Sequence, residues 1–146
     1  MRAAALVLGL LLAGCRETSG PSGVSRCPQS SPTANLGCAV VAGTVRGLDG
    51  QPIAGALVTL APPTGEAAVY DEPATTSGSL GEFRVDIHRY DAPSPVPAED
   101  TVLLYLRATL QLDPPVSDST PVPVIFVPVD SVAKVVQAEL VFGAGG

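Results

Sequence analysis

Tryptophan is absent from this 146-residue chain, and histidine, lysine and asparagine occur once each, as His88, Lys134 and Asn35. One histidine is too few for a metal centre built on several imidazoles. A single lysine, with the only asparagine in a Ser/Pro-rich stretch, leaves no pair for a Lys–Asn crosslink between strands. Basic residues are also scarce: Lys+Arg total 8 against 14 Asp+Glu, a formal charge of −6. That balance excludes charge-driven binding to nucleic acid and to anionic headgroups. Aromatics amount to three Tyr (Tyr70, Tyr90, Tyr105) and three Phe (Phe83, Phe126, Phe142). Sugar stacking therefore has little material, although a glycan partner stays among the candidates. The core must come from Val, Leu, Ile and Ala, which favour strands. Fifteen Pro and fifteen Gly work against long helices. Long apolar runs are missing too: Ala3 to Ala13 is the most extended, well short of the roughly 20 residues that span a bilayer, and Arg16-Glu17 follows it closely.

What that short run offers instead is a secretory signal. Arg2 supplies the positive n-region, residues 3–13 the apolar segment, and the small pair Ala13-Gly14 stands before Cys15. Leu12-Ala13-Gly14-Cys15 resembles the lipobox of bacterial lipoproteins, in which the cysteine is diacylated on sulfur and becomes the first residue. The resemblance implies lipidation at Cys15, removal of residues 1–14 and a membrane partner reached through the lipid. Two or three acyl chains, at about 0.8 kcal/mol per buried methylene, make such attachment effectively permanent. Localisation is then the cell envelope. Arg16, in place of Asp after the cysteine, implies the outer membrane in a Gram-negative cell. The alternative is a plain secretory peptide cleaved elsewhere.

Two cysteines are left, Cys27 and Cys38, with ten residues between them. In an oxidising compartment an even pair suggests a structural disulfide, which removes roughly 3 kcal/mol of unfolded-chain freedom in the loop-entropy model. A redox or zinc pair calls for a two-residue spacing. Residues 15–37 are mostly Ser, Pro, Gly and small polar residues, and are expected to form a flexible tether whose later half packs on the domain if the disulfide forms.

From residue 38 onward the pattern changes to short apolar runs between turn-formers. Strands are expected at 39–46, 55–60, 67–76, 82–90, 101–112, 122–129 and 133–142, with Asp49-Gly50, Pro62-Pro63 and Asp113-Pro114-Pro115 as breaks. Seven strands at this spacing predict an all-β fold, one seven-stranded Ig-like β-sandwich over 38–146. Glu82 to Arg89 alternates cleanly, so Phe83, Val85 and Ile87 face the core while Glu82, Arg84, Asp86 and His88 face solvent. Thr101 to Leu112 is nearly continuous apolar (Val102, Leu103, Leu104, Leu106) and predicts a central strand covered on both faces, with Tyr105 a core candidate. Pro121, Pro123 and Pro128 remove ladder donors, so 122–129 is expected to be an edge strand or an extended segment.

The stretch Val41-Ala42-Gly43-Thr44-Val45, then Gly50-Gln51-Pro52-Ile53-Ala54-Gly55-Ala56-Leu57-Val58-Thr59-Leu60, then Gly81-Glu82-Phe83, resembles the carboxypeptidase regulatory-like, transthyretin-like domains. Ser77-Gly78 stands where that pattern usually has Thr-Asp, and the segment Tyr90 to Asp100 is longer. The resemblance implies an accessory or structural module and carries over no catalytic residue or cofactor. Hydroxyisourate hydrolases of the transthyretin-like group use several histidines and a Tyr-Arg-Gly-Ser tail. Intradiol dioxygenases of a related sandwich use two His and two Tyr around iron. One histidine meets neither requirement.

The remaining chemical candidate is the polar strand face Arg84, Asp86 and His88. It could serve a small envelope enzyme or a metal site, but no G-x-S-x-G marks a nucleophile, and two ligands at i, i+2 are commonplace. The expectation is a non-enzymatic envelope lipoprotein whose sandwich acts as a binding or structural module toward an envelope protein or glycan.

Overall fold

The computed structural model describes residues 26–27, 36–63, 73–90 and 98–143. Seven strands follow one another: β1 (Gly37–Gly47), β2 (Leu57–Ala61), β3 (Ala74–Thr76), β4 (Glu82–Arg89), β5 (Asp100–Leu110), β6 (Val116–Phe126) and β7 (Val135–Phe142). They form two sheets, a three-stranded β4-β1-β7 and a four-stranded β3-β2-β5-β6. Pairing is antiparallel throughout except for β1 with β7, which is parallel. The fold is an all-β sandwich.

Period-2 burial puts one face of each sheet into a shared core. Ala39, Val41 and Val45 of β1 meet Phe83, Val85 and Ile87 of β4 from one sheet. Val58, Leu60, Leu104, Leu106, Val124 and Phe126 come from the other. The β1–β4 register sets Gly43 opposite Phe83. A Cβ at Gly43 would overlap the carbonyl oxygen of Ala138 on β7, so the position admits no side chain. Gly81, at φ +75°, makes the turn that delivers Phe83. The hydroxyl of Ser77 is buried; it accepts from Ala56 N at 2.9 Å and donates to the Ile53 carbonyl at 2.8 Å. It pins the entry of β2 to β3.

The proline-bearing strand is an edge, as its missing N–H groups require. β6 flanks only β5, and Pro121 and Pro123 sit opposite Tyr105 and Leu103. Lacking N–H groups, they cannot donate into the ladder and leave the outer rim poor in donors, which opposes edge-to-edge association. The strand runs earlier than expected, from Val116 rather than 122, because Ser117, Asp118, Ser119 and Thr120 are polar yet pair with β5 on the solvated side of the sheet.

Another expectation is corrected. β5 is central but covered on one face only: Leu104, Leu106 and Ala108 are buried, while Leu103 is 50% and Tyr105 39% exposed. Tyr105 is therefore not core, since nothing described lies over the outer face of the four-stranded sheet. The strand expected at 67–76 is present at Ala74–Thr76, and residues 67–72 lie outside the described residues.

A second, smaller apolar cluster lies at one end of β1. Cys27, Cys38, Val40, Val127 and Ala133 are buried together there. β1 is thus covered on both faces at its start, which explains its unbroken burial from Gly37 to Ala42.

Candidate functional site

Alternation along β1 and β4 builds the outer face of the three-stranded sheet. Because Ala39, Val41 and Gly43 point inward beside Ile87, Val85 and Phe83, the residues between them point outward in pairs. These are Cys38 with His88, Val40 with Asp86, and Ala42 with Arg84. The polar face expected on β4 therefore exists, and it borders an apolar row on β1.

Covalent chemistry adds a wall to that face. The Cys27 and Cys38 sulfurs are bonded, with Cα atoms 5.6 Å apart. This holds Arg26 and Cys27 as a short strap across the start of β1. Backbone bonds fix the strap from its other side: Cys27 N donates to the Ser131 carbonyl at 2.9 Å, and Asp130 N donates to the Cys27 carbonyl at 3.0 Å. Arg26 bridges Val132 in antiparallel fashion. The second half of the stretch expected to be tether is therefore in part docked on the sandwich, joining it at Arg26–Cys27 and again from Leu36, whose N–H donates to the Arg89 carbonyl.

Between strap and β4 lies a groove of about 240 Å³. Its floor is the Cys38 and Val40 side of β1, with Ala133 beside the strap; Asp86 and His88 form the opposite wall, and Arg26 stands on the rim. The volume is below the usual 300–1,000 Å³ of small-molecule sites and suits one amino-acid side chain.

Electrostatics at the rim are uneven. Arg84 Nη2 lies 3.1 Å from Asp86 Oδ1, an ion pair along the strand, with Arg84 the more covered of the two. Asp86 is thus compensated within its own strand. His88 is half-buried, with its ring centroid 6.4 Å from that of Tyr90. This corrects the expectation that Arg84 and His88 would be solvated like Glu82 and Asp86: both are half-buried on that face, His88 where it lines the groove beside the strap. Arg26 is exposed and makes no ion pair among the described residues. Among those residues no group of three or more His, Cys, Asp or Glu stands close enough together to hold a metal ion.

Cys15 lies outside the described residues. Cys27, Cys38, Asp86 and His88 are brought together around the groove, and Arg84 sits one pair further along. Arg26, Val40 and Ala133 were not singled out by the sequence. The cysteine pair was the only signal that could have drawn Arg26 in, because its partner Val132 is more than a hundred residues away.

No family model and no curated protein matches the chain. Solved structures with a similar course of strands include the dioxygenase domain of a dioxygenase carbohydrate-binding protein fusion from Streptomyces sp. SirexAA-E. The likeness has 16% identity and a TM-score of 0.45, over 84% of this chain and 90% of that one. A second is 3-chlorocatechol 1,2-dioxygenase from Rhodococcus opacus 1CP, at 12% identity and a TM-score of 0.40 over 77% of this chain. This chain spans 56% of that enzyme's length. At such scores the likenesses carry nothing about chemistry.

Proposed function

We propose that this chain is a lipid-anchored protein of the cell envelope, held through Cys15, whose sandwich serves as a non-catalytic binding module. The anchor rests on Leu12-Ala13-Gly14-Cys15 after a positively charged and apolar segment. The acidic balance leaves the lipid as the means of attachment. The module reading rests on the groove. Its described lining carries no hydroxyl, amine or free thiol: its only sulfurs are paired, and its carboxylate is held by Arg84. Such walls can hold a small group on an apolar floor beside one ion-paired carboxylate. That composition is the observation that carries the reading.

A small envelope enzyme or metal-binding protein using Arg84, Asp86 and His88 is the competing reading, and the closeness of Asp86 and His88 in one wall is what favours it.

Detergent-phase partitioning of wild type and Cys15→Ser tests the anchor. Wild type goes to the Triton X-114 phase and the variant to the aqueous phase. Retention of the variant in detergent overturns the lipid anchor.

A further inference from the structure

Aliphatic side chains stand exposed on three turns at one end of the sandwich. Leu48 follows β1, Leu80 precedes β4, and Leu112 and Val116 lie at the β5–β6 turn; they are 73%, 70%, 59% and 45% exposed. The registers Thr44 with Glu82, Gly47 with Phe142 and Leu110 with Val116 place these turns at the end of β1 remote from the strap. Bonds across that end tie them together. Val45 N donates to the Gly81 carbonyl at 2.8 Å, Gly143 N donates to Asp118 Oδ2 at 2.8 Å, and Leu48 Cδ1 lies beside Gly143. Two of the turns are braced by their own carboxylates: Asp49 Oδ1 accepts from Gln51 N at 3.1 Å, and Glu82 Oε2 accepts from Leu80 N at 2.8 Å. Single exposed leucines are ordinary, but four aliphatic groups on braced turns at one end mark a contact surface.

We propose that this end docks a partner protein whose apolar cleft is rimmed by lysine and arginine. Charge selects that occupant. Asp49, Glu82 and Asp113 are exposed in or next to the same turns, and none of them makes an ion pair among the described residues. Arg46, at the end of β1, is already held by Glu139 at 3.3 Å and by the Gly50 carbonyl at 3.0 Å. A second copy of the chain would bring the same carboxylates face to face, which like-charge repulsion opposes. Membrane interfaces are met by basic and aromatic side chains, and residues 47–51, 77–82 and 111–116 contain neither. A basic rim on a protein answers the carboxylates while its cleft takes the leucines. The 11 residues of β1 separate this end from the strap by about 36 Å, so docking here leaves the groove open. The proposal goes beyond the groove and depends on neither it nor the lipid anchor.

The test is photocrosslinking of the full chain in its own cells, with a benzophenone amino acid replacing Leu80, and in a parallel strain replacing Leu103 on the outer face of the four-stranded sheet. The Leu80 probe is expected to give a discrete adduct with another protein, and mass spectrometry to place the crosslink in an apolar segment flanked by Lys and Arg. The Leu103 probe, also at an exposed leucine, gives no such adduct. Leu48→Ser/Leu112→Ser in the Leu80 strain lowers the adduct yield at least about tenfold, the scale of lost apolar anchors. Asp49→Asn/Asp113→Asn, which keeps the Asp49 oxygen acceptor, lowers it by about as much. All of these positions are exposed, and unchanged melting of the purified variants separates lost docking from lost folding. An adduct with phospholipid, an adduct with a second copy, a crosslinked segment without basic residues, a yield indifferent to either double variant, or no adduct overturns the proposal. Partitioning into detergent would still decide the envelope anchor separately.

Discussion

Phe83→Ala against His88→Ala is the perturbation that separates the two faces of β4. Phe83 is 4% exposed and pairs across the ladder with Gly43, a position with no side chain to shift into the vacated space. Gly43 cannot be enlarged to compensate, because the Ala138 carbonyl blocks it. Truncation therefore leaves a cavity that the walls cannot close, at a cost of about 3–5 kcal/mol. Against a domain stability of about 5–15 kcal/mol, that lowers Tm by on the order of 10–20 °C. His88 is half-buried on the opposite face, beside the groove, and its truncation costs about 0.5–1 kcal/mol. Thermal melts followed by circular dichroism in the strand region measure both. A large loss for His88→Ala with little for Phe83→Ala would refute the reasoning, because a one-residue slip of β4 exchanges its two faces.

Other positions carry independent expectations. Gly43→Ala forces backbone apart between β1 and β7 and should cost about 1–3 kcal/mol or more, read as a Tm drop in the same assay. Ser77→Ala leaves Ala56 N and the Ile53 carbonyl without their buried partner, at about 1–3 kcal/mol, whereas Ser79→Ala on the neighbouring exposed turn should be near neutral. Alkylation without reductant should label neither Cys27 nor Cys38 by mass spectrometry. The paired substitution Cys27→Ser/Cys38→Ser, which opens a closure of sequence separation 11, should lower stability by about 3 kcal/mol in the chain-entropy model. Stoichiometric labelling of the untreated protein would rule the bond out.

The parts of the fold legible in the sequence were those with strict local period. Glu82 to His88 alternates at every position, so its inward set followed without knowledge of a partner strand. Prolines at 121 and 123 marked an edge because a missing N–H is a local fact. β5 misled because an apolar run looks the same whether one face is covered or two; only the other layer decides, and here it lies on one side of Leu104 and Leu106 alone. The start of β6 was hidden because Ser117 to Thr120 has the composition of a loop, and its pairing is set by β5 rather than by its own residues. Ser77 gave no signal, since a serine between turn-formers is ordinary until its hydroxyl is seen bridging two segments. The groove was half legible. Asp86, His88 and the cysteine pair could each be singled out, but that they surround one cavity depends on the antiparallel contact of Arg26 with Val132 and on the β1–β4 register.

We propose that the sandwich is held in the cell envelope by lipid on Cys15. The most direct test of this is the intact mass of the protein extracted from its own membranes, with fragmentation of the N-terminal peptide. The account predicts a chain that begins at Cys15 and carries a diacylglyceryl group on its sulfur. A chain that retains residues 1–14, or one that begins elsewhere with an unmodified N-terminus, would contradict it.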